Sequence, residues 1–257
     1  NRVWKTHFGR GLVATPDDFG SQGRLPSHPR LLDWLAGWFM DQEWDLKALH
    51  RLILSSAVFR QSSRAPRELV ERDPENRLLA RGPKRRLLAE EIRDGALAAS
   101  GLLNPALGGP SVKPYQPAGL WEQSGTGKTY VQDTGGNLYR RSLYTFWRRT
   151  APPPSMLTFD AVTREVCTAR RDTTATPLQS LVLLNDPQFV EAARALGEAL
   201  LKKHPRDEAA RIRDAFRGLI GRSPDRAESE ILLRLFAEHF ETCFLLLKLC
   251  QLRKFGI

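Results

Sequence analysis

Apolar residues recur along much of this chain at the three- and four-residue spacing of helices that keep one face in a core. After a Gly-rich opening (Phe8-Gly9-Arg10-Gly11, then Asp18-Phe19-Gly20), Leu31, Leu32, Leu35, Trp38 and Phe39 form one such stripe, with Ser27 placed to cap it. Leu46, Leu49, Leu52 and Ile53 form the next, begun by Asp45, whose carboxylate can accept from first-turn amides. Asp73-Pro74 predicts a third helical start, because proline at the first helical position leaves no amide unpaired, and Gly82-Pro83 ends it. A fourth helix is expected over 84–100, stopped by Gly101.

The pattern then changes. From Asn104 to Trp121 the density of Pro and Gly excludes a regular helix and predicts a long loop that covers the core or lines a site. Thr129 to Gln132 and Leu138 to Trp147, rich in aromatic and β-branched residues, flank Asp133-Thr134-Gly135-Gly136-Asn137 and predict a β-hairpin. Pro152-Pro153-Pro154 imposes an extended stretch before helices resume. Thr176-Pro177-Leu178-Gln179 fits a capping box, Asp186-Pro187 starts a helix striped by Phe189, Val190, Ala193, Leu196 and Leu200, and Ser223-Pro224 starts one carrying Ile231, Leu232, Leu235 and Phe236. The fold class expected is mainly α: a multi-helix array with one small β-hairpin and long Pro/Gly-rich loops. It reads as one integrated domain, with an N-terminal helical part at 1–103, the loop and hairpin at 104–160, a C-terminal helical part at 161–240 and an atypical tail at 241–257.

Composition allows a true core and biases the partners. Of 257 residues 41% are apolar, and 39 Lys plus Arg against 29 Asp plus Glu leave a net charge of +10, which favours acidic ligands. The positive charges include the isolated pairs Arg85-Arg86, Arg140-Arg141, Arg148-Arg149 and Arg170-Arg171 rather than the dense run of a nucleic-acid-binding tail, so nucleic acid is the last-ranked partner. Cys167, Cys243 and Cys250 include no Cys-x-x-Cys pair and make no disulfide framework. The longest apolar run, Phe244 to Leu247, is far short of the roughly 20 residues of a membrane helix.

Complete catalytic motifs are missing. Ser124-Gly125-Thr126-Gly127-Lys128-Thr129 ends like a phosphate-binding loop, but Glu122 stands where the leading Gly belongs, and a carboxylate repels phosphate. His7, His28, His50, His204 and His239 have no His-x-x-x-His spacing, so no metal or other cofactor is expected on this chain, and His50 reads as a surface or boundary residue. No Gly-x-Ser-x-Gly elbow occurs. The densest polar cluster is Asp160, Arg164, Glu165, Cys167, Thr168, Arg170, Arg171, Asp172 and Thr173. Arginine forks grip carboxylate, sulfate or phosphate, so Arg164, Arg170 and Arg171 are candidate ligand-binding residues, and Asp160 with Glu165 is a candidate acid and base. The competing reading is an ion-pair network that holds the loop, with Cys167 buried as a small core residue. Tyr144 and Trp147, with Trp121, Tyr115 and Phe146 nearby in sequence, are candidates to stack on sugar rings, although such residues more often belong to a core.

Several long strings carry a family resemblance. They are Asn1-Arg2-Val3-Trp4, His7-Phe8-Gly9-Arg10-Gly11-Leu12-Val13, Pro26-Ser27-His28-Pro29, Leu49-His50-Arg51-Leu52-Ile53-Leu54-Ser55-Ser56, Gly108-Gly109-Pro110-Ser111-Val112, Tyr139-Arg140-Arg141-Ser142-Leu143-Tyr144 and Leu183-Leu184-Asn185-Asp186-Pro187. In these the chain resembles the planctomycete PSD-one domain, a bacterial domain of unknown function, from its first residue to about Phe240. Ala175 stands where that family usually has Asn, and 241–257 does not resemble the family's usual C-terminal stretch. The resemblance implies a fragment of a large exported protein with companion domains, one of them often a cytochrome c-like haem domain. This sequence has no Cys-x-x-Cys-His string for covalent haem. The leading expectation is a non-catalytic binding or assembly module for an anionic or carbohydrate ligand. The alternatives are part of a polysaccharide-acting hydrolase or redox-linked enzyme, and nucleic-acid binding through the basic surface.

Overall fold

The computed structural model describes residues 1–125, 127–171 and 173–238. The described chain is mainly helical and divides into two compact units, one of residues 1–87 with 164–173, the other of residues 88–163 and 174 onward. The expected tail at 241–257, with Cys243 and Cys250, lies outside the described residues, as do Asp172 and His239.

In the first unit, α1 (Arg2–Phe8), α2 (Pro29–Asp41), α3 (Leu46–Ser55) and α4 (Arg67–Arg72) surround a core of Trp4, Leu12, Leu49 and Ile53, with the Leu31, Leu32, Leu35, Trp38 and Phe39 stripe packed against it. Asp45 caps α3 as its sequence predicts, accepting from the Lys47 and Ala48 amides at 2.8 and 3.1 Å. Ser27 does not cap α2; its hydroxyl donates to the Leu12 carbonyl at 3.2 Å. Asp73 begins no helix either. It follows the end of α4, where its carboxylate accepts from the Arg77 and Leu78 amides, both at 2.8 Å, and so closes a loop. Those two amides, the Leu78 bond first, hold its pKa below the ordinary aspartate value. Gly82 is glycine for a steric reason: a Cβ there would stand 2.3 Å from the Gln61 carbonyl oxygen.

The second unit holds α5 (Ala89–Ala99), α6 (Leu120–Gln123), α7 (Pro154–Thr158), α8 (Pro177–Asn185), α9 (Pro187–Lys203) and α10 (Glu208–Ile220), followed by a helix over 226–238. Its core is Ala89, Met156, Phe159, Ala161 and Phe189, and α9 packs against α5, α8 and α10. Asp186 caps α9 through the Gln188 amide (2.9 Å). The capping box expected at α8 is not formed. Gln179 is buried, and its amide group donates to the Thr158 carbonyl (3.0 Å) and the Thr174 hydroxyl (3.2 Å) instead of returning to Thr176. The helix expected after Ser223 starts at Asp225, whose carboxylate accepts the Glu228 amide while the Glu228 carboxylate accepts the Asp225 amide, both at 2.9 Å.

No β-hairpin forms over 129–147. Gly135–Tyr139 and Ser142–Tyr144 are short 3-10 helices, and the only bridges among the described residues are two isolated parallel ones, Asn104 with Arg140 and Val112 with Thr145. The cause lies on α5. Arg93, 4% exposed, donates to the Leu138 and Arg140 carbonyls (2.8 Å each), the Ser142 hydroxyl (3.3 Å) and the Gln188 side chain (2.6 Å). Asp94 beside it accepts from the Ser142 amide (2.8 Å) and hydroxyl (2.7 Å). Helix side chains thus take the backbone groups that a hairpin arm would have offered to its partner strand.

Candidate anion-binding basin

Capping at Asp45 and burial of Leu49 and Ile53 fix the rotation of α3. At 100° per residue its opposite face then carries Lys47, His50, Arg51, Leu54 and Ser55, at the spacing i, i+3, i+4, i+7 and i+8. With Arg60 from the turn that follows, these residues line a solvent-open basin of about 650 Å³. Lys47, Arg51 and Arg60 are exposed, His50 is half-buried, and none of the three cations has an ion-pair partner among the described residues. Elsewhere in the chain arginines meet carboxylates readily: Arg10 pairs with Glu75, Arg67 with Glu71, and Arg222 with Glu228. Behind the basin α1 packs on α3 and brings His7 Nε2 to 2.7 Å from His50 Nδ1. Burial, then His50 and Arg85, hold the pKa of His7 below the ordinary histidine value.

Sequence reasoning set His50 aside as a boundary residue and passed over Lys47, Arg51 and Arg60. The signal that finds them is the outward face of α3, three titratable or cationic groups at i, i+3 and i+4 with no acidic residue at helical spacing.

The residues singled out in the sequence are distributed differently. Asp160 belongs to the second unit, where its carboxylate accepts from the Thr174 amide (2.7 Å) and hydroxyl (2.9 Å). Arg164, Glu165, Arg170 and Arg171 belong to the first, in the returning segment 164–173, which is tied to α1 by a bond from Lys5 Nζ to the Ala169 carbonyl (3.1 Å). The Lys5 ammonium has a lowered pKa, chiefly from burial and then from Arg170. Cys167, expected in a core, is exposed. Tyr144 lies under the Arg140 guanidinium, 3.9 Å from ring centroid to Cζ, and its hydroxyl accepts the Gly108 amide at 2.8 Å. Trp147 packs against the second unit's core and donates its indole N–H to the Thr163 carbonyl (2.9 Å). Trp121 is buried beneath Arg148 and beside Tyr130 and Phe146. The Gly127-Lys128-Thr129 stretch follows the short helix α6 and runs on as irregular chain.

Among the described residues no group of three His, Cys, Asp or Glu side chains could hold a metal ion, and no helix is long and apolar enough to cross a membrane.

What these features define is a mainly helical, two-unit chain with a cationic basin whose charges have no ion-pair partner among the described residues. It belongs to the PSD1 family, a protein family of unknown function (DUF1553), which it matches over residues 1–236. No curated protein and no solved structure matches the chain.

Proposed function

We propose that this chain is a binding module of a larger exported protein and that its basin on α3 receives the oxyanion groups of an acidic polysaccharide. The observation that carries the reading is the grouping of Lys47, Arg51 and Arg60 around one open basin with no ion-pair partner among the described residues. Three like charges held together repel one another, and a sulfate or carboxylate placed between them relieves that repulsion while accepting Arg and Lys hydrogen bonds. Half-buried His50 and exposed Leu54 add a polar edge and an apolar one, which suits a sugar ring carrying the charged group. Export and the company of a haem-bearing domain rest on the family resemblance, and any haem belongs to that companion domain.

Calorimetric titration of the chain with a sulfated oligosaccharide at pH 7 tests this. Lys47→Gln, Arg51→Gln and Arg60→Gln together should weaken binding about tenfold or more, because each partly exposed charge contact contributes roughly 0.5–1 kcal/mol. Undiminished binding in that variant would place the ligand elsewhere. Tighter binding of duplex DNA than of the oligosaccharide would make the partner nucleic acid.

A further inference from the structure

An anion in the basin would lie beside His50, and the contact behind His50 makes the proton a second ligand. The His7 and His50 rings meet nearly perpendicular, with centroids 4.9 Å apart and 2.7 Å between His7 Nε2 and His50 Nδ1. Two imidazole nitrogens at this distance share one proton, one donating and one accepting. Phe59 holds the His7 ring edge-on at 5.8 Å, so the pair cannot easily turn apart. Nδ1 of His50 is thus committed to His7, and Nε2 is the nitrogen left to serve a ligand in the basin that His50 lines.

The neighbouring elements bring cations to this pair: Arg85 from the 84–87 stretch acts on His7, and Lys47, Arg51 and Arg60 line the basin with His50. Among the described residues of this unit Asp45 is engaged with the α3 amides, Asp73 with its loop amides and Glu75 with Arg10, and Asp17 acts on Lys5. In this setting His7 is neutral at pH 7. A bound anion reverses the balance, since its negative charge favours the cationic form of the pair and a protonated pair offers it a donor.

We infer that His7 and His50 form a proton-linked switch on the basin, which takes up an oxyanion and a proton together and so binds more tightly as the pH falls from 8 toward 5.5. The inference rests on the anion-binding reading above. The sign follows from linkage: the pair titrates higher with the anion bound, so the added affinity is present below that bound-state value and is lost as the pH rises through it. One linked proton allows at most about a tenfold change per pH unit.

Inorganic sulfate is the probe, because it stays fully ionised across this range. Its Kd for the full chain should fall about fivefold to tenfold between pH 8 and 5.5, and His7→Asn or His50→Gln should reduce that change to under twofold. Sulfate binding that ignores pH yet is lost in the Lys47, Arg51 and Arg60 variant overturns the switch and leaves the basin standing. No sulfate binding at any pH overturns both, and an unchanged pH slope in both histidine variants assigns the proton elsewhere. Circular dichroism at each pH checks folding. If a variant does not fold, imidazole NMR of the unsubstituted chain decides: sulfate should raise the titration midpoints of the two rings, and unmoved midpoints refute the switch.

Discussion

Arg93 shows how a single buried cation can set the path of a loop 45 to 49 positions away. Its guanidinium reaches backbone carbonyls of Leu138 and Arg140, a hydroxyl and a side-chain amide, so the desolvation that lowers its pKa is offset by well-aligned acceptors. Removing it leaves those acceptors buried and unpaired. Arg93→Met should therefore destabilise the chain by about 3 kcal/mol in urea unfolding, and a change under 1 kcal/mol would show that water takes over the acceptors. At this scale little was legible in the sequence. An Arg-Asp pair on a helix reads as solvated surface, and nothing local states that Ser142 will come within 2.7 Å of Asp94. Tyr144 and Trp147 read in the sequence as candidates to stack on sugar rings, while their hydroxyl and indole partners, Gly108 and Thr163, are contacts that only folding brings about.

Helices followed their sequence signals where those signals are local. The Asp45 and Asp186 caps and the Leu49 and Ile53 stripe all concern residues within a turn or two of one another, so short-range hydrogen bonding and periodic burial decide them. Ser27, Gln179 and the expected hairpin departed because distant partners, Leu12, Thr158 and Arg93, competed for the same groups. The α9–α10 junction offers a test at this level. Asp214 on α10 accepts from Lys203 (2.7 Å) and His204 (2.8 Å) at the end of α9, and these hydrogen bonds lower its pKa from 3.8 to about 2. A carboxylate with a depressed folded value stabilises the fold above its unfolded pKa, and that contribution is lost as the pH falls toward 2. Carboxyl NMR should give Asp214 a midpoint near 2, returning toward 3.8 in Lys203→Ala/His204→Ala. A midpoint near 4 in the unsubstituted chain would mean the junction does not hold in solution.

For the whole molecule the governing quantity is charge. With a net charge of +10, any acidic polymer is attracted over distances that salt screens within about 10 Å at 0.1 M, whereas contacts inside the basin are specific to its cations. Raising salt from 0.05 to 0.5 M should weaken oligosaccharide binding steeply in the unsubstituted chain and less in the Lys47, Arg51 and Arg60 variant, with Kd against salt as the measurement; parallel slopes would assign the attraction to the general surface. By itself the sequence determined the helical class, the Asp45 and Asp186 caps, the excess of positive charge and the family, because each depends on neighbours in the chain or on composition. The tertiary structure decided which cations stand together around one basin, that His7 meets His50 across forty-three positions, that Asp160 and Glu165 fall in different units, and that Arg93 replaces a hairpin with 3-10 turns. Those outcomes depend on which distant groups compete for one another in a crowded interior, and no periodicity along the chain encodes that competition.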